Sequence, residues 1–203
     1  MKVLNMNLHT LYESIVTSER YKLNIQYGAP RRGHDEGSVA NHIQELEQNL
    51  DTLVHKHDIH PTTFMKLLIL IHVHDSFKME SARDVPILDP KSHATLAREF
   101  LESLGVKDSD LLTITQYHDL GFALYRNRKP DGRYNEERLT NVLQRIDDKD
   151  LFLTFAIIDC CTKSKGREMI RWLVGEVRRV FPYVCKVDES WILEGEERIG
   201  EVF

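Results

Sequence analysis

Between Lys66 and Lys78 the chain runs Lys-Leu-Leu-Ile-Leu-Ile-His-Val-His-Asp-Ser-Phe-Lys, an almost unbroken apolar stretch that closes on a histidine and a carboxylate side by side. The run is long enough to be helical. A helix apolar over most of its surface is buried, so the remaining elements have to be wrapped around this one. Carrying an ionised Asp into such a place is costly unless it is paired, and a metal ion is one of the few partners that also uses an adjacent neutral imidazole. His74-Asp75 is therefore the expected centre of a metal site, with other parts of the chain supplying further ligands.

Those other parts carry helical signals throughout. Leu8, Leu11, Ile15 and Val16 give helical spacing within residues 1–26, and Gly28 to Gly37 reads as a loop punctuated by Gly and Pro. Ser38 is placed to cap a helix whose stripe is Ile43, Leu46, Leu50, Leu53 and Val54. Asp58-Ile-His-Pro61 breaks it, and Thr62 or Thr63 opens the apolar helix. After a loop over 80–91, Ser92 caps a helix through Leu96, Phe100, Leu101 and Leu104 that Gly105 ends, and Asp108 starts another that reaches His118. The segment from Gly121 to Gly132 is turn-rich and basic. Helices are expected again over Glu136–Ile146, Leu151–Cys161 and Arg167–Phe181, the last stopped by Pro182. Strand-like alternation is almost absent, so the chain is expected to be all-α.

With 203 residues, 41% hydrophobic and 29% charged, the length and balance suit one soluble domain with a real core. A net charge of -5 argues against broad nucleic-acid binding or an anionic membrane surface. No apolar run approaches a bilayer span, and the N-terminus has no sustained apolar signal region. Cys160, Cys161 and Cys185 are too few for a disulfide scaffold, and reduced thiols of a cytoplasmic protein are the simpler reading. A homodimer is compatible with all of this.

The sequence holds 10 histidines and four His-Asp dipeptides, at His34, His57, His74 and His118, so context has to choose among them. His34-Asp35 lies in a glycine-bounded polar loop and His57-Asp58 in a polar helix terminus; both are expected to be solvated. His72 precedes His74 by two residues, about 200° around a helix, and is expected to be a core histidine or one that supports a ligand. A second carboxylate, Asp159, stands in the apolar run Leu-Phe-Leu-Thr-Phe-Ala-Ile-Ile-Asp-Cys-Cys. Taken alone it could cap a helix or pair with a buried Arg. Two carboxylates, each in an apolar helix, are better explained by one shared cation.

The ordered set resembles the HD-domain metal-dependent phosphohydrolases, helical proteins whose ligands come in the order His, His-Asp, Asp. The resemblance covers roughly residues 30–170. Its opening, Gly37-Ser-Val-Ala-Asn-His42, is similar to the Ser-Val-Ala-x-His-Ser opening of the branch that contains 5'-deoxynucleotidases, and it selects His42 over His34 and His55 as first ligand. His74, Asp75 and Asp159 then follow in order. That branch carries a Glu three residues after the Asp. Lys78 stands here instead, as in the HD-x-x-Lys pattern of the phosphodiesterase branch. In such relatives extra histidines hold a second metal, and His93 and His118 lie in the right order for it. The resemblance implies an N-terminal helical extension over 1–30, an HD-like domain over 31–182 with the metal site at the centre of its bundle, and a tail over 183–203 flanking it.

What the resemblance implies chemically is hydrolysis of a phosphomonoester or phosphodiester, with a nucleotide as the expected substrate class. One or two ions drawn from Mn, Fe, Co, Ni, Zn or Mg suit the His and Asp donors. Asp75 is expected to orient or deprotonate the attacking water while ligating, and Lys78 to neutralise phosphate. Arg31 and Arg32, and Arg126 and Arg128 in the basic loop, are candidate contacts to the rest of the substrate, because the planar guanidinium fork donates two hydrogen bonds to phosphate together. Two other readings stay open: a di-iron oxygenase of the same fold, and a non-catalytic helical ligand-binding domain.

Overall fold

The computed structural model describes residues 7–31 and 35–182. Arg32, His34 and the expected tail over 183–203 lie outside the described residues. Those described form an all-α fold of ten helices: α1 (Leu8–Thr17), α2 (Glu19–Asn24), α3 (Val39–Lys56), α4 (Pro61–Val73), α5 (His93–Ser103), α6 (Ser109–Tyr117), α7 (Leu120–Arg126), α8 (Glu136–Leu143), α9 (Lys149–Cys160) and α10 (Glu168–Val180).

The apolar helix α4 is the hub. Leu67, Ile69, Leu70, Ile71 and Val73 are fully buried, because α1, α3, α6 and α9 all pack against it. No single amphipathic stripe is needed on a helix that has neighbours on every side. The segment expected as an N-terminal extension contributes directly, since Leu11 and Ile15 of α1 lie in the core. Around the hub, α5 packs on α6 and α10 on α7.

Several boundaries follow from capping chemistry. Ser38, Ser92 and Asp108 cap α3, α5 and α6, each accepting from a backbone N–H in the first turn. Gly105 follows α5 with φ +85°, the left-handed turn that glycine makes without strain. Helix α4 starts at Pro61 rather than at Thr62 or Thr63, because His60 serves as N-cap and accepts from Thr62 N, with proline at the first position. The N-terminal helix divides where Ser18 turns extended, φ -61° and ψ 127°, between α1 and α2.

The turn-rich, basic segment after His118 begins with a helix, α7. Leu120 and Leu124, one turn apart, are buried, and that packing outweighs the helix-breaking signal of Gly121. Gly121 also has a packing role. A Cβ there would stand 2.6 Å from Leu173 Cδ2, so its absence is what lets α7 approach α10.

Candidate metal centre

Each candidate ligand is delivered by the end or opening turns of a helix, and all converge beside the C-terminus of α4. His42 comes from the start of α3, one turn before the buried Leu46. His74 is the C-cap of α4 and Asp75 follows it; both are buried. His93 is the first residue of α5, His118 the C-cap of α6, and Asp159 sits near the end of α9. The structure thus brings together all six residues singled out as metal ligands.

They fall into two groups joined by Asp75. In the first, His42 Nε2 lies 3.0 Å from Asp159 Oδ1 and 4.0 Å from Asp75 Oδ2. His74 Nε2 lies 3.5 Å from Asp75 Oδ2 and 3.7 Å from Asp159 Oδ1. In the second, His93 Nε2 and His118 Nε2 are each 3.5 Å from Asp75 Oδ1 and 3.1 Å from one another. Donors around one ion, each about 2.1 Å from it, stand roughly 3–3.5 Å apart, so both groups have the spread such an ion needs. Each oxygen of Asp75 faces a different group.

Ring orientation supports the same reading. His74 Nδ1 lies 3.0 Å from Ile71 O and 3.2 Å from Leu70 O, so Nδ1–H donates and Nε2 keeps its lone pair toward the cluster. That buried Nε2 has no hydrogen-bond partner. A buried polar atom left unpaired is costly, and a cation would satisfy it. His118 repeats the arrangement, with Nδ1 2.9 Å from Thr115 O. His42 Nδ1 faces Glu36 Oε1 at 3.5 Å, a carboxylate behind a candidate ligand ring. His74 is also held edge-on by the ring of Phe155, centroids 5.3 Å apart.

Electrostatically the site demands cations. Burial pushes the carboxyls of Asp75 and Asp159 up, yet Lys78 and His74 hold the first, and Lys165 and His42 the second, well below the usual range. Burial draws His74 down toward its neutral form. It draws His118 down too, but Asp119 and Asp75 override it and push that imidazole up to about 9, so without an ion its Nε2 carries a proton that a bound ion would displace. Two ammonium groups answer the same demand. Lys78 Nζ donates to Asp75 Oδ2, and Lys165 Nζ donates to Asp159 Oδ1 at 3.0 Å. These are the carboxylate oxygens that face His42 and His74.

A cleft of about 500 Å³ opens onto the cluster, lined by Asp75, Lys78, His118, Asp119, Asp159 and Lys165, with Phe122 and Met169 as its apolar wall. Arg31 borders a smaller opening that it shares with His42, Asp75 and Lys78. Arg126 is exposed at the end of α7. Arg128 lies over the Tyr125 ring, 3.8 Å from its centroid, and near Trp172. Neither of these two arginines lines this cleft. His72 turns away from the cluster, with Nδ1 2.5 Å from Tyr21 Oη and Nε2 3.0 Å from Glu47 Oε1. Asp58 is exposed beyond the end of α3.

Lys165 and Phe122 were not foreseen as site residues. The signal for Lys165 was the basic, glycine-containing stretch just after Asp159. For Phe122 it was a large aromatic three residues past the His118-Asp119 pair. No described helix is long and apolar enough to cross a membrane. Comparison of the chain with protein-family models, with curated proteins and with solved structures finds no match.

Proposed function

We propose that this protein is a metal-dependent phosphohydrolase that cleaves a small phosphoester, nucleotide-sized, at a two-ion site. The observation that carries the reading is the pairing of two donor groups across Asp75 with two lysines, Lys78 and Lys165, on the wall of one cleft. Divalent ions held by His42, His74, Asp75 and Asp159, and by Asp75, His93 and His118, would supply Lewis acidity and an activated water.

The chain's own groups do the rest. Lys78 and Lys165 hold the phosphoryl oxygens and offset charge that builds on them. Asp75, fixed by both groups, orients the attacking water against the phosphorus. Phe122 and Met169 give an apolar face for the organic part of the substrate, and about 500 Å³ suits a ligand of mononucleotide size. Arg31 lines a smaller opening together with Lys78, where a second phosphate or an extended leaving group would find a cation.

The test is metal analysis of the purified protein, then a screen of phosphomonoesters, cyclic nucleotides and a generic diester with Mn, Co, Ni and Mg. Turnover that Asp75→Ala and His74→Ala abolish, and that Asp58→Ala leaves intact, supports the reading. No bound metal and no turnover with any of these substrates would sink it. Iron-dependent oxygen uptake in place of phosphate release would assign the donors to an oxygenase instead.

A further inference from the structure

The fourth His-Asp dipeptide, His118-Asp119, has a member that the site so far leaves unused. Asp119 is the N-cap residue of α7, and aspartate at an N-cap ordinarily accepts a backbone N–H of the first turn. Asp119 makes no such bond. Its carboxylate turns away from its own helix and places Oδ2 3.2 Å from His93 Nε2 and 3.6 Å from His118 Nε2. The side chain is 43% exposed and lines the cleft, whereas His118 beside it is 1% exposed. A half-exposed carboxylate thus lies against two imidazole nitrogens that also face Asp75 Oδ1.

We propose that Asp119 is a ligand of the second metal ion, completing a set of His93, His118, Asp119 and the shared Asp75. The inference rests on the two-ion reading above. It makes the two halves of the centre chemically alike: two imidazoles, one private carboxylate (Asp159 or Asp119) and one oxygen of Asp75 for each ion. Three carboxylates against two dications leave a net positive centre, suited to an anionic substrate. The carboxylate-rich donor set favours Mn, Fe, Co or Mg over a soft ion such as Cu(I). Because Asp119 is the most exposed of the ligands, it is also the one that can yield its coordination position to a substrate oxygen.

Equilibrium dialysis with Mn, read by elemental analysis and by electron paramagnetic resonance, tests the assignment without an activity assay. The wild type is expected to bind two Mn ions per chain with a spin-coupled spectrum. Asp119→Asn, which keeps the shape but is a poor ligand, is expected to bind one, with an uncoupled six-line spectrum and second-site affinity weakened roughly 100-fold or more. That exceeds the 10–100-fold typical of a group that only orients a ligand. Asp119→Ala, at a half-buried position on the cleft wall, serves as the second variant, with circular dichroism confirming its fold. Two coupled Mn ions in the wild type and in both variants, at unchanged affinity, would overturn the role of Asp119 and leave the two-ion reading standing. A wild type that binds fewer than two would overturn that reading and the proposal with it.

Discussion

Lys165 offers a quantitative test of how the centre handles charge. Its ammonium lies 3.0 Å from Asp159 Oδ1, the same atom that faces His42 Nε2 at 3.0 Å and His74 Nε2 at 3.7 Å. An ion bound by those two imidazoles and Asp159 therefore has to displace the ammonium from that oxygen. At 3 Å and an effective dielectric of 20 the gross attraction is about 5 kcal/mol. Desolvation of two groups that are only 23% and 13% exposed cuts the net value to about 1.5–3 kcal/mol, the range for a hydrogen bond to a charged group. Lys165→Met removes the competitor, so metal affinity at the first site should tighten by roughly 10- to 100-fold. The same substitution strips Asp159 of its counter-charge when no metal is present. The metal-free variant should therefore melt earlier, by about 3–10 °C for a chain of this size, while the metal-loaded forms melt close together. Isothermal titration with Mn and scanning calorimetry with and without the ion read both sides of the cycle. Unchanged or weaker Mn binding in Lys165→Met would refute the displacement argument, because it would mean that the ammonium stays on Asp159 beside the ion.

Two packing predictions test the frame that holds the ligands. Phe155→Ala should cost about 3–5 kcal/mol in urea denaturation, since the ring is 1% exposed. It should also weaken metal binding by roughly 10-fold, because the His74 ring loses its edge-on wall; normal affinity in a folded variant would show that the wall is dispensable. Gly121→Ala sets a helix-propensity gain of about 1 kcal/mol against a Cβ 2.6 Å from the buried Leu173. Overpacking should win, lowering the melting temperature by about 2–5 °C, and a rise would mean that α10 gives way without strain.

How much of this was legible from residues alone depends on whether the signal was energetic or directional. The hub helix was legible because its apolar run leaves no polar face to present to water, and every residue of α4 from Ile69 to Val73 is buried. The His-Asp pair at its end stood out for the same reason. Caps at Ser38, Ser92 and Asp108 were legible because a hydroxyl or carboxylate before a periodic run has one local use. Direction was not. Four His-Asp dipeptides look alike in sequence, and nothing local distinguishes a carboxylate that caps its helix from Asp119, which turns to His93 and His118. Lys165 lies six residues beyond Asp159 in a turn, where sequence distance does not fix the path of a long side chain. Arg128 was equally opaque: its charge suggested phosphate, whereas the Tyr125 and Trp172 rings take its guanidinium.

The way His74 and His118 are aimed explains why such a centre gathers at helix ends. The last turn of an α-helix leaves carbonyls without intrahelical partners. A histidine at the C-cap can donate Nδ1–H to one of them, which locks the ring and turns Nε2 outward with its lone pair free. His74 does this at the end of α4 with Ile71 O, and His118 does it at the end of α6 with Thr115 O. The device serves two needs at once, since an otherwise unpaired carbonyl gains a donor and a candidate metal ligand gains its tautomer without any further side chain. It predicts a specific spectroscopic outcome. In a long-range proton–nitrogen correlation spectrum of the zinc-loaded protein, the ring proton of both histidines should sit on Nδ1, with Nε2 shifted by the metal. His55, exposed on α3, should show no metal-induced shift and serves as the internal reference. A proton on Nε2 of His74 would mean that its lone pair points back into the α4 carbonyls, and His74 could then be a ligand only through the wrong nitrogen.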